Sequence, residues 1–180
     1  MELDNLIFDR TQADVDRAKY LAGLWVNGTF TGTTAELAEW ATDLKGAYNA
    51  TDLNRVIAAM DYLNEYFLGL GYDVGYTNIV VNHQDSSLTD NYTWYETDIP
   101  TQNEMSIYIE DVSRLRDKIP LLADTPETPD DMQLLTYQEA NDIERILDNI
   151  ERVLIAMENG FLLRQANTLF MIAGGVFNNA

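Results

Sequence analysis

Between residues 136 and 157 the chain reads TYQEANDIERILDNIERVLIAM. Ile143, Ile146, Ile150, Val153 and Met157 recur at three- and four-residue spacing, with Leu147 and Leu154 beside them. On a helix these positions form one apolar stripe that other elements must cover. Thr136 and Glu139 make a T-x-x-E capping box, which sets the helix start. A second stretch, residues 47–67 (AYNATDLNRVIAAMDYLNEYF), carries a matching stripe and is read as its partner.

Displacing the sequence by 90 residues brings two places into register. Asp52, Leu53, Arg55, Val56, Ile57, Met60 and Leu63 overlay Asp142, Ile143, Arg145, Ile146, Leu147, Ile150 and Val153. The capping box at Thr11 and Asp14 overlays the one at Thr101 and Glu104. Two helix starts at one offset point to an internal duplication into two helical hairpins. A solenoid is excluded, because it needs about three or more repeats to bury a continuous core.

Composition bounds the function classes. Hydrophobic residues make up 46% of 180 residues, enough for a packed core. Thirty acidic residues against 11 basic ones leave a net charge of -19. Such a field repels phosphate backbones and anionic lipid, so neither nucleic acid nor membrane is expected as a partner. Without cysteine there is no disulfide, thiolate nucleophile or cysteine metal site. The opening MELDNLIFDR has no basic n-region and no apolar h-region, so no signal peptide is expected.

The pattern predicts helices over about 12–25, 35–45, 50–68, 102–119 and from 136 onward. Boxes or caps at Thr11, Thr33, Asn49, Thr101 and Thr136 mark their starts. Trp25 and Trp40 are expected in the core. Residues 73–97 lose the helical period; 77–81 and 92–95 are β-prone, and predict a small hairpin or extended excursion. The fold is therefore expected to be mostly α, two hairpins with a small β or extended insertion. It divides into an N-terminal helical half (1–72), the excursion (73–97), a C-terminal helical half (98–160) and an apolar tail (161–180), together one compact domain.

Motifs that carry chemistry are absent. His83 is the sole histidine and is read as a surface or turn residue. Ser86 and Ser87 lie near it, but no nucleophile elbow supports a triad. Asp130 with Asp131, and residues 85–90, do not fit a calcium loop. The unit Asp-apolar-x-Arg recurs at Asp14, Asp52, Asp111 and Asp142, and is read as weak pairing on exposed helix flanks. No cofactor, metal or catalytic residue is assigned, and the chain is not expected to be an enzyme. A carboxylate hydrolase is the remaining catalytic alternative. Trp94 and Tyr95 lie outside the stripes and are candidates for an exposed-aromatic contact, as an adhesin or carbohydrate-binding module would use. Leu169, Phe170, Met171, Ile172, Val176 and Phe177 form an apolar cluster in the tail. Such a cluster either packs on its own core or meets another chain.

Residues 5–15 (NLIFDRTQADV) and 45–56 (KGAYNATDLNRV) resemble a family of small prophage proteins of Firmicutes and other gut bacteria. So do residues 98–101 (DIPT) and 135–147 (LTYQEANDIERIL). These blocks are helix starts and core stripes, so they speak for a fold more than for a function. The resemblance implies a phage structural protein of tail or neighbouring type. Its partners would be other phage structural proteins or further copies of itself. It would be found in the bacterial cytoplasm during assembly and then in the particle.

Overall fold

The computed structural model describes residues 3–175, with side chains as far as Arg164. It is mostly helical: α1 (Gln12–Gly23), α2 (Thr34–Trp40), α3 (Ala50–Gly69), α4 (Gln102–Arg116) and α5 (Tyr137–Gly175). The strands β1 (Trp25–Val26) and β2 (Thr29–Phe30) pair antiparallel between α1 and α2.

All five helices begin where the sequence places a cap. Thr11 with Asp14, Thr33 with Glu36, Asn49 with Asp52 and Thr101 with Glu104 close reciprocal capping boxes. At α5 the Thr136 amide donates to Glu139 Oε2 at 2.8 Å, and the Glu139 amide donates to Thr136 Oγ1 at 3.2 Å. Each box satisfies amides that the first helical turn leaves without partners. α2 ends at Trp40, short of the expected Lys45, because the Thr42 hydroxyl and amide both turn back onto the Glu39 carbonyl.

α3, α4 and α5 pack against one another as a three-helix bundle. The two stripes read from the sequence meet at its centre. Val56, Met60, Ile143, Ile146 and Ile150 have no exposed surface, and Leu53 keeps 6%. Val153 is half-buried at the edge of the same core. α1 packs on α2 and on β1. There Trp25 meets Phe30 edge-on at 5.3 Å and Trp40 at 6.3 Å. Both tryptophans therefore belong to a small aromatic cluster outside the bundle core. Trp25 is 40% exposed and Trp40 half-buried, which corrects the expectation that they are core. Gly46 carries the chain past the start of α1; a Cβ there would stand 2.0 Å from the Asp14 carbonyl oxygen.

The strand pair is not where it was expected. Asn27 and Gly28, with φ of 49° and 76°, make a left-handed two-residue turn that brings β1 onto β2. Residues 72–101 carry no strand; the backbone hydrogen bond between their two arms runs from Val81 N–H to the Asn91 carbonyl at 2.8 Å. The excursion is extended, with Ile79 and Val81 buried and Val80 exposed between them. Its backbone partners are side chains of the bundle. The Thr77 amide donates to Asp111 Oδ1 at 3.1 Å, and the Asn82 amide to Glu104 Oε1 at 2.9 Å. Asn54 holds residue 94 from both sides: the Trp94 amide donates to Oδ1, and Nδ2 donates to the Trp94 carbonyl, both at 2.8 Å. Helix side chains thus take the place of a neighbouring strand, which is why no ladder forms.

The N-terminal segment is fastened the same way. The Ile7 amide donates to Glu144 Oε2 at 2.6 Å, and Asn141 grips the backbone of residue 10 through its amide and carbonyl. Arg10 then enters the bundle. Its Nη2 lies 2.7 Å from Asp52 Oδ1 on α3 and 2.7 Å from Glu144 Oε1 on α5. Arg55 completes the group, pairing with Asp52 and, at 2.9 Å, with Glu144. The four formal charges cancel. Arg10, Asp52 and Glu144 are each at least 94% buried. The Asp52–Arg55 pair is therefore part of a buried cluster and not an exposed flank. Likewise Asp111, paired with Arg114 at 2.7 Å, has no exposed surface. The reading of these two pairs as weak surface contacts is corrected on that ground.

Removing one partner of a buried ion cluster leaves the others uncompensated. Arg10→Met is expected to lower unfolding stability by about 3–5 kcal/mol, measured by urea denaturation. Arg17→Met, which removes the exposed 2.6 Å pair with Glu39, should leave the midpoint unchanged. Equal losses for the two variants would contradict the central role of the Arg10 cluster.

Candidate interaction surface

α3 is 20 residues long and α5 is 39. At 1.5 Å per residue these are about 30 Å and about 58 Å, so α5 outruns its partner. Among the described residues, Leu154 is the last on α5 that is fully buried, and Met157 still touches the core. From Glu158 to Arg164 each residue is exposed. The helix continues through Gly160, although glycine costs about 1 kcal/mol there relative to alanine. Beyond it, Phe161, Leu162 and Leu163 are 53%, 57% and 67% exposed. Three consecutive helical residues sweep about 200° of circumference, so apolar surface covers more than half of the turn at Phe161–Leu163.

Of the tail cluster, Leu169, Phe170, Met171 and Ile172 fall on the α5 backbone, but their side chains lie outside the described residues. Val176 and Phe177 lie outside the described residues altogether.

The exposed-aromatic reading is corrected at Trp94. It is 3% exposed and belongs to the bundle core, because the Asn54 clamp on its backbone fixes residue 94 against α3. Tyr95 is 37% exposed, its ring edge-on to His83 at 5.4 Å.

His83 is not a surface residue either, since 3% of its side chain is exposed. Nδ1 lies 2.9 Å from Asp98 Oδ2, and Nε2 meets the Asp90 carbonyl. A protonated ring donating from both nitrogens suits these two acceptors. The hydrogen bond to the Asp90 carbonyl and the one to the Asp98 carboxylate raise its pKa above the ordinary 6.5. With both nitrogens engaged, the ring has no free position from which to activate Ser86 or Ser87. Its role is to close the loop from residue 83 to residue 98.

Two carboxylates are pushed above their ordinary value. Burial raises Asp61, with Asp111 and Glu65 adding to the effect. Burial also raises Asp142, where Arg145 opposes it. They titrate in separate surroundings. Among the described residues, no group of three or more His, Asp or Glu side chains could hold a metal ion. No helix of the described residues is long and apolar enough to cross a membrane. The chain matches no protein-family model, no curated protein and no solved structure.

The sequence did signal the apolar tail, but not the clamps at Asn54, Asn141, Glu104 and Asp111. Their signal is a polar residue set in or beside a helical core stripe, which reads equally well as ordinary helix surface.

The loop latch should titrate. A raised folded pKa at His83 gives stability that is complete below pH 6.5 and is lost as pH rises through the folded value. Asp98 is depressed despite its burial, through hydrogen bonds from the Tyr95 amide and His83. Its contribution is complete above 3.8 and is lost as pH falls. His83→Gln is therefore expected to destabilise most between pH 3.8 and 6.5, with the deficit shrinking at alkaline pH. Thermal melts of both proteins across that range check the sign. A deficit that grows with pH would contradict it.

Proposed function

We propose that this chain is a non-catalytic structural or assembly protein that works through protein–protein contacts. The observation that carries this reading is the overhang of α5, with Phe161, Leu162 and Leu163 exposed in succession. Leaving large apolar side chains in water forgoes roughly 1.5–3 kcal/mol each that burial would supply, and a partner chain recovers it. The setting we infer is a phage or prophage particle, as the resemblance of residues 5–15, 45–56 and 135–147 implies. The 90-residue offset is read as an ancestral duplication into two helical hairpins. In its favour, the boxes at Thr11 and Thr101 both form.

In this reading the protein is present in assembled particles or assembly intermediates of an induced lysogen that carries its gene. The double variant Phe161→Asp, Leu163→Asp changes exposed residues alone, so its melting temperature should stay within a few degrees of the parent. It should nevertheless disappear from the particle fraction. Mass spectrometry of gradient-purified particles reads the outcome. Absence of the unaltered protein from particles and intermediates would sink the proposal, as would full incorporation of the variant.

A further inference from the structure

Just before α5, Leu134 stands almost wholly in water. It is 95% exposed and has φ of 55°. In the left-handed region a β-carbon crowds the following carbonyl oxygen, and glycine or asparagine is the usual occupant. Unfavourable backbone geometry of this kind persists at sites where the displayed side chain is used. Leu134 lines a cleft of about 390 Å³ between α1 and the start of α5. That volume suits a small molecule.

Charge sets this cleft apart. Four other clefts of the described residues are each lined by three carboxylates. Here no Asp or Glu is among the lining residues, whereas Arg10 and Lys19 both are. In a chain of net charge -19 this runs against the composition. The first turn of α5 also lines the cleft and adds the positive end of a helix dipole.

Both cations have a donor to spare. Arg10 is 4% exposed; its Nη1 donates to the Ile7 carbonyl and its Nη2 to Asp52 and Glu144. Its Nε, equally buried, has no acceptor. Buried N–H groups almost always have one, so this donor lacks a partner that the protein does not supply. Lys19 is exposed. Of the eleven Lys and Arg residues, it alone has no hydrogen bond or ion pair among the described residues. Around these two donors, Val15, Tyr48, Leu134 and Leu135 supply the walls.

A phosphate dianion brings more charge than one ammonium and one N–H can satisfy away from water. A carboxylate brings a single charge and two acceptor oxygens, one for each donor. We propose that this cleft binds a small organic acid, an apolar chain that ends in a carboxylate. One oxygen accepts from Arg10 Nε–H and the other pairs with the Lys19 ammonium. The apolar chain lies against Val15 and Leu135, and Leu134 covers it. The site is separate from the overhang, which lies at the far end of α5.

Titration of the 15N-labelled full chain with hexanoate, followed by NMR through the millimolar range, tests the proposal. Saturable shifts are expected at Lys19 and at residues 134–138, and the Arg10 Nε–H cross-peak should move downfield as it gains an acceptor. Hexanol and inorganic phosphate are expected to leave these signals in place. Lys19→Met changes an exposed, unpaired side chain, so it should melt with the parent and bind hexanoate roughly fivefold more weakly. Leu134→Asn relieves the left-handed strain, so it should melt no lower than the parent and bind roughly tenfold more weakly. No saturable shift with hexanoate would overturn the proposal. So would equal binding of hexanol or phosphate, an Arg10 Nε–H signal that stays in place while hexanoate binds, or parental affinity in Lys19→Met.

Discussion

One buried ion cluster ties the N-terminal segment to α3 and α5. Arg10 reaches Asp52 on α3 and Glu144 on α5 at 2.7 Å each, and Arg55 bridges the same two carboxylates. Moving each charge out of water costs several kcal/mol, so the cluster is tolerable because it is complete and neutral. Its value lies in specification. Asp52 Oδ2 caps α3 through the Asn49 amide while Oδ1 receives Arg10. Glu144 takes Arg10, Arg55 and the Ile7 amide at once. Helix start, helix pairing and the path of the N-terminal segment are thus decided by the same atoms. A slip of α5 by one turn would separate all of them.

Carboxylates recur in this double role. Glu104 closes the α4 capping box with one oxygen and holds Asn82 with the other. Asp111, fully buried, holds the Thr77 amide and pairs with Arg114. Part of the acidic excess is therefore internal. It serves as acceptors for extended backbone, and the helices act as the neighbouring strand. With Asn54 and Asn141 doing the same through both amide atoms, residues 3–10 and 72–101 are fixed without a sheet.

What was legible from sequence follows from the range of the forces concerned. Capping boxes and apolar stripes are local, and the boxes at Thr11, Thr33, Asn49, Thr101 and Thr136 sit where read. The stripes through Met60 and Ile150 meet as expected. The Asn27-Gly28 dipeptide favours a tight hairpin, but the runs beside it are two residues long and the hairpin was not read there. The clamps were not legible, because Asn54 and Trp94 are 40 residues apart. No local pattern shows that one holds the other. The same distance hid the burial of Trp94; the enclosure of His83 by Asp90 and Asp98, 7 and 15 residues on, lies in a stretch with no period to show it.

Along α5 the two kinds of exposed leucine carry different meanings. Leu162 and Leu163 are exposed because the helix outlasts its partners, a consequence of length alone. Leu134 is exposed at a point where the chain is otherwise well fastened: Leu135 beside it packs on the core, and Thr136 caps the helix. A sequence selected for stability alone would place glycine or asparagine there. Retaining leucine keeps an apolar side chain displayed at the foot of the helix that carries the apolar overhang at its far end.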